Sequence, residues 1–465
     1  MTFCTACEVW PLCDCYIVNL IISSKELDFM RFMVYNIFMF FVSIIILSYN
    51  PTTLIYPPFG HTMGYHSATS LEARLLFSNR LSFDSPYGIS TVKLKSDDKP
   101  GGEDDDELTV YCCNTGAHQI VYNKSLMDVK TYGKFGTGVG EFWSPTGIVA
   151  SPDGWVWVAD AGNHRIVKLF NTGDTLLWVQ TIGSFGCAEL EFDGPYDVAC
   201  DFKKNIYVTD EGNGRIQVID SSGNLVKIID GLYRPKGIAV IGRNDRWNYR
   251  RNDFIVVLCE DGIKKFSMSG KLLAKRKGEN FRLTKYNFAF CMIDYYGHIW
   301  VTDRENGCIH KFDRDLKYIT SFGRKGSGDK EFIDPRGITI WRRFGQVFVV
   351  DATAIDYYWI GVDGYIKGCF PPVFTGDRPG TDIVFFITEP AIMDSKIYDS
   401  RGNVVREFVN NYEETPFEHY LIWDGRDNYG EIVPSGEYRI ELVLTPTYSS
   451  RKKFKKILDT RVIVK

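Results

Sequence analysis

The chain has almost no charge imbalance and few histidines. Its 54 lysines and arginines offset 58 aspartates and glutamates, leaving a net charge of −4 and an isoelectric point near 6.0. That balance gives no global attraction to a phosphate backbone or an anionic membrane surface, so nucleic acid is not an expected partner. Of seven histidines in 465 residues, only His118, His164, His298 and His310 fall in the repeated region described below. No G-x-S-x-G elbow and no H-E-x-x-H pair occurs, so the nucleophile and zincin arrangements those patterns build are not expected. Long apolar runs are scarce too. Residues 32–48, preceded by Arg31, form one such run, short for a membrane span and long for a signal core. It reads as a helical export signal, with an anchor as the alternative. A start at Met30 would give the charge-then-hydrophobe order of a leader and would leave Cys4, Cys7, Cys13 and Cys15 upstream of the product.

What the chain does have is 15% aromatics, 42 glycines and 18 prolines, a mixture suited to many short strands and tight turns. Its length predicts two folded units beyond the leader (1–50). The remaining eight cysteines, from Cys112 to Cys369, lie mostly in apolar strand patterns and read as buried free thiols. Adjacent Cys112 and Cys113 should point to opposite faces of one strand.

Self-similarity is the strongest signal. A proline opens each copy at Pro86, Pro145, Pro195, Pro235 and Pro335, with Lys285 in its place in the fifth of six. A polar residue closes the second strand at Asn114, Asp160, Asp210, Glu260, Asp303 and Asp351. In the second copy G-I-V-A-S, W-V-W-V-A-D, R-I-V-K-L-F and T-L-L-W-V-Q-T-I are four strands separated by turns at Pro152-Asp153-Gly154, Ala161-Gly162-Asn163-His164 and Asn171-Thr172-Gly173-Asp174. Gly, Asn and Asp at those turns tolerate positive φ or bond their own backbone. Four short strands in 40–50 residues is the size of one propeller blade. The run W-V-W-V alternates incompletely, as a sheet packed on both faces does.

The N-H-R-I turn with its preceding V-A-D, and the connector F-G-x-G-x-G-E-F-x-x-P, resemble NHL repeats over roughly 73–371. The resemblance implies a closed six-bladed β-propeller, and residues 73–79 are the expected closing strand. In such a propeller Asp160, Asp210, Glu260, Asp303 and Asp351 ring one face. Two readings stand: a site for calcium or another cationic ligand, or carboxylates that cap their own turns or pair with arginines such as Arg165 and Arg215. Recurrence in every blade favours the second. Two insertions lie on the opposite face. Residues 96–107 are acidic and read as a solvated loop. Residues 241–253 carry Arg243, Arg246, Trp247, Tyr249, Arg250 and Arg251, a composition enriched at interfaces. Propellers similar in fold include lactonases and a peptidyl-hydroxyglycine lyase. A lyase-like site demands several histidines on zinc, whereas His118 and His164 occupy one repeated turn position, so a metal-dependent enzyme is the alternative to a non-catalytic binding role.

After Pro371-Pro372 the period stops. Strand-like runs follow with I-Y-D-S-R-G-N-V-V-R and W-D-G-R-D-N-Y-G-E-I-V-P-S-G-E-Y, which resemble the immunoglobulin-like domain of the flagellar hook-capping family over 373–465. Trp423 is the expected core anchor, and Asp424, Asp427 and Asn428 read as turn residues, with a calcium loop as the alternative. Residues 451–456, rich in lysine, read as a solvated loop. Together these features predict an all-β, extracytoplasmic binding or scaffold protein. Its partner would be a protein or an extracellular polymer, and the membrane would enter only through the N-terminal segment.

Overall fold

The computed structural model describes residues 51–58, 60–64, 67–69, 82–96, 108–125, 128–376, 380–413 and 415–465. The apolar segment 32–48, the expected closing strand 73–79 and most of the acidic insertion lie outside these residues. Among the described residues no helix is long and apolar enough to cross a membrane.

Five four-stranded meanders follow one another at residues 86–132, 145–182, 195–229, 235–276 and 288–322. A sixth sheet has three sequential strands, Pro335–Trp341, Gln346–Asp351 and Ala354–Ile360. It is completed from the other end of the chain, where Leu54–Ile55 and Ser67–Thr69 both pair antiparallel with Ala354–Ile360. Gly364–Phe370, which follows in the chain, pairs with Thr381–Ile387 in the next unit. The boundary expected after residue 371 therefore moves ahead of Gly364.

The first strands of the sheets contact one another in cyclic order, the sixth returning to the first. Side chains stitch this ring. Ser90 Oγ accepts the Ala150 N–H at 3.0 Å, the Thr146 hydroxyl donates to Tyr196 O at 2.7 Å, and the Asp197 carboxylate accepts the Ile238 N–H at 2.9 Å. The Thr302 hydroxyl donates to Arg336 O at 2.6 Å, and the Arg336 guanidinium to Pro86 O at 2.9 Å. Glycine allows the strands to come this close: a Cβ on Gly147 would lie 2.5 Å from Asp197 Cα, and one on Gly337 would lie 2.3 Å from Tyr87 O.

Each pair of neighbouring sheets encloses its own apolar core, which explains why strand alternation breaks down. In W-V-W-V, Val156 and Val158 face the first sheet while Trp157 faces the third. Cys112 and Cys113 likewise enter different cores, as their adjacency predicts. The register corrects two marker positions. Phe288, not Lys285, stands opposite Asp303 as Pro145 stands opposite Asp160. In the fourth sheet Cys259, not Glu260, pairs with Pro235. These are sheets packed as propeller blades.

The C-terminal part is two facing sheets. Gly364–Phe370, Thr381–Ile387 and Phe417–Trp423 form one, and Val373–Phe374, Lys456–Val464, Gly436–Pro446, Ala391–Tyr398 and Val404–Glu413 form the other. They share one core around Trp423, which is fully buried, donates Nε1–H to Arg426 O at 3.0 Å and meets Phe374 and Tyr438 edge-on. Asp427 Oδ1 accepts the N–H groups of Tyr429 and Glu431, Asp424 that of Arg426, and Asn428 that of Glu407. Asp424 and Asp427 thus cap their own turns, while Asn428 ties the turn to the strand Val404–Glu413.

The basic stretch is not solvated throughout. Ser449–Lys452 forms a short 3-10 turn in which buried Ser450 donates to Ile360 O, and Phe454 packs against two cores. Arg451, Lys452, Lys453 and Lys455 stay exposed. A further tie is buried Lys311 of the fifth sheet, ion-paired with Glu389 and donating to Thr388 O at 2.8 Å.

Candidate ligand-binding cavity

The first strands converge on a channel whose end on the side of the first-to-second-strand turns is a cavity of about 630 Å³. That is within the range of small-molecule sites. Apolar residues such as Ile89, Val149, Ala199 and Ile340 contribute to its wall. Six cationic residues line it: Lys93, Lys95, Lys204, Arg246, Arg342 and Arg343. Four carboxylates accompany them, Asp153, Asp197, Asp201 and Asp245.

The carboxylates are engaged. Asp153 bridges Lys95 at 2.5 Å and Lys204 at 2.7 Å. Asp245 accepts the Gly242 N–H and pairs with Arg342 at 3.2 Å, while Arg342 donates to Ile293 O and Val240 O, tying three sheets together. Asp201 caps its own turn through Asn205 and accepts the Tyr207 hydroxyl. At the rim, Trp247 lies 4.8 Å from the Arg246 guanidinium and 5.3 Å from that of Arg343. Three buried polar atoms of lining residues, Thr91 Oγ1, Ser151 Oγ and Trp341 Nε1, have no hydrogen-bond partner, a condition native interiors seldom tolerate without a ligand or ordered solvent.

The other end of the channel is filled. Tyr87, Tyr196 and Phe290 pack with ring centroids 5.5–6.4 Å apart, and Arg304 donates to the Tyr87 hydroxyl at 3.1 Å while pairing with Asp334 at 2.6 Å. Arg336 lies over the same Tyr87 ring.

The third residue of the first strand is glycine in four sheets, at Gly88, Gly147, Gly237 and Gly337, but Asp197 in the third sheet and Phe290 in the fifth, and both line the channel. Burial pushes the Asp197 carboxyl up to about 7, against the pull of the Ile238 and Val198 N–H groups that its oxygens accept. A raised acid favours the protonated folded state. Stability from this group is therefore full below about pH 4 and falls as pH rises to about 7, a change on the order of 4 kcal/mol. Urea unfolding across that range should show the decline in the native protein and its absence in Asp197→Asn. Parallel pH profiles for the two would contradict the assignment.

The residues singled out from sequence fall in two places. Asp160, Asp210, Asp303 and Asp351 are buried on the opposite side, facing the connector that enters their own sheet. Asp160 accepts the Trp143 N–H at 2.8 Å, Asp210 that of Asp193 at 2.8 Å, Asp303 that of Asn287 at 2.9 Å, and Asp351 that of Ile333 at 2.9 Å. Arg165 pairs with Asp160 at 2.7 Å and Arg215 with Asp210 at 2.8 Å. Glu260 stays exposed near Arg234. His118 and His164 accept the Ser144 and Gly194 N–H groups at 3.0 Å. In the 241–253 insertion, Arg246 and Trp247 line the cavity, Tyr249 packs against Tyr295 and Tyr296, Arg243 pairs loosely with Asp253, and Arg250 and Arg251 lie outside the cavity lining. Sequence reading missed Asp197, Phe290, Arg342 and Arg343. The broken glycine pattern was the signal for the first two.

The NHL repeat family matches residues 142–169. No curated protein matches the chain with significance. Among solved structures, a streptogramin B lyase is similar at 16% identity and a TM-score of 0.41, covering 61% of this chain and 95% of its own. A gluconolactonase from Xanthomonas campestris is similar at 11% identity and 0.43, covering 60% of this chain and 87% of its own. PorZ, a surface component of the type-IX secretion system of Porphyromonas gingivalis, is similar at 13% identity and 0.41, covering 81% of this chain but 51% of its own. The chain is an all-β protein that carries an NHL repeat within a β-propeller fold.

Proposed function

We propose that the protein is an extracytoplasmic, non-catalytic binding protein: a six-bladed propeller that takes an anionic ligand into its channel cavity, tethered through an immunoglobulin-like sandwich of the hook-capping type. The observation that carries this reading is the cavity itself, apolar in its wall and ringed by arginine, lysine and Trp247 at its mouth. Such a site suits a ligand with an apolar body and a carboxylate, sulfonate or phosphate head. The engaged state of Asp153, Asp201 and Asp245 supports binding over chemistry, since none is left as a free base. A metal-dependent enzyme of the lyase or lactonase kind is the second reading. It is favoured by Asp197, a channel carboxyl held near neutrality where it could exchange a proton.

Anilinonaphthalene sulfonate, an aromatic body with one anionic group, is a suitable probe. Titration followed by fluorescence should show one saturable site. The double variant Arg246→Ala/Arg343→Ala should weaken it by roughly ten- to a hundredfold, the value of one charge-assisted contact. Unchanged affinity in that variant would place the probe elsewhere and reject the cavity as the anion site.

A further inference from the structure

The fifth sheet departs from the second and third beneath the connector, away from the cavity. In the second and third sheets the residue opposite the buried aspartate is an arginine, and the guanidinium ties the incoming connector down. Arg165 donates to Thr137 O, Gly138 O and Glu141 O, and Arg215 to Cys187 O, Ala188 O and Glu191 O. In the fifth sheet that register position is Cys308, paired opposite Asp303. Two residues along, on the same face of the strand, the third sheet has Gln217 and the fifth has His310. The arginine clamp is gone, and a thiol and an imidazole stand in its place.

The three side chains converge. His310 Nε2 lies 3.1 Å from Asp303 Oδ2 and 3.6 Å from Cys308 Sγ, and the three candidate donor atoms all lie within 4.8 Å of one another. A tetrahedron with metal–ligand bonds of ~2.0–2.3 Å has edges of roughly 3.3–3.8 Å, so the spacing needs only small adjustments to close on an ion. The imidazole and the carboxylate are oriented from behind. His310 Nδ1 meets Ser321 Oγ at 2.6 Å, and Ser321 Oγ meets the Tyr318 hydroxyl at 2.7 Å. Asp303 Oδ2 accepts from Asn306 Nδ2 at 2.7 Å, and its Oδ1 accepts the Asn287 N–H. Such outer contacts fix ring orientation and leave Nε2 as the ligating nitrogen. All three residues are buried beside aromatic side chains, with Phe288 edge-on to the His310 ring at 5.9 Å.

We propose that Asp303, Cys308 and His310 form a binding site for a borderline-soft divalent transition metal, zinc above all, standing where the second and third sheets have their arginine clamp. A thiolate, an imidazole and one carboxylate select zinc over calcium or magnesium, which demand oxygen donors. Three protein ligands leave the fourth position to solvent. The second buried trio, Asp294, His298 and Glu389, is a weaker candidate because the Lys311 ammonium already pairs with Glu389.

The test uses the full chain with Cys4, Cys7, Cys13 and Cys15 replaced by serine, so that the N-terminal thiols cannot contribute. Cobalt(II) titration should give one equivalent with a thiolate-to-cobalt charge-transfer band that zinc abolishes. Cys308→Ser and His310→Gln, the latter restoring the residue of the third sheet, should each weaken binding by about a hundredfold or more, and Ser321→Ala by about tenfold. Cys187→Ser, at an exposed thiol, should change nothing. Absence of the charge-transfer band from the otherwise unaltered protein would overturn the proposal whatever the variants do. So would a band that persists in Cys308→Ser, or cobalt bound without sulfur and lost on His298→Ala.

Discussion

Replacing Asp210 by alanine should destabilise the protein by about 3–5 kcal/mol, the usual consequence of removing one partner of a buried ion pair. Asp210 is fully buried, and its oxygens take the Asp193 N–H, the Asn213 amide and Arg215 Nε. Without it the Arg215 guanidinium keeps its three connector carbonyls but loses its counter-charge in a site only 9% exposed. Asp210→Asn should cost less, because the amide oxygen still accepts the Asp193 N–H. Urea unfolding measures both. Probe affinity for the cavity should stay within about twofold, since Asp210 lies at the far end of its strand. A stable Asp210→Ala variant that had lost probe binding would return the acids to the ligand site.

The second large effect belongs to Leu54→Asp. Leu54 is fully buried between the fifth and sixth sheets beside Tyr358 and Ile360, and its strand supplies the edge that the sixth sheet lacks. Leu54→Ala should cost about 2–5 kcal/mol through the cavity it leaves. Aspartate adds the burial of a charge and should exceed that range, exposing Ala354–Ile360 as an unpaired edge prone to association. The closing segment is further held by His61, which bonds Leu108 O at 3.0 Å and lies edge-on to Phe348. Thermal unfolding with light scattering should show an earlier, aggregating transition for Leu54→Asp. A midpoint within a degree or two of the native protein would mean that the ring does not depend on this strand.

Much of the fold was legible because repetition supplies its own alignment. Turn glycines, second-strand aspartates and the connector motif recur, and the strands fall where those marks put them. The closing strand was not legible. Leu54-Ile55 is an unremarkable apolar pair, and only partnership with Ala354–Ile360, about 300 residues away, makes it a strand. The same holds at the domain boundary. Gly364–Phe370 has the pattern of an outer blade strand, yet its pairing with Thr381–Ile387 wins because Cys369 and Ile366 then join the Trp423 core. The cavity was half legible. Arg246 and Trp247 stood out by composition, but Arg342 and Arg343 look like ordinary turn residues until the ring brings their turn against Asp245 and Trp247. The identity of Cys308 and His310 was visible all along. Their meaning came only from the register that sets Cys308 where Arg165 and Arg215 stand.

Ligand should enter at the face of the first-to-second-strand turns. Amide hydrogen exchange, with and without saturating anilinonaphthalene sulfonate, tests it directly. Protection should appear at residues 149–153, 199–204, 242–247 and 339–343, leaving the connector 183–194 unchanged. Protection confined to that connector and its counterparts, with none at the cavity mouth, would contradict the account.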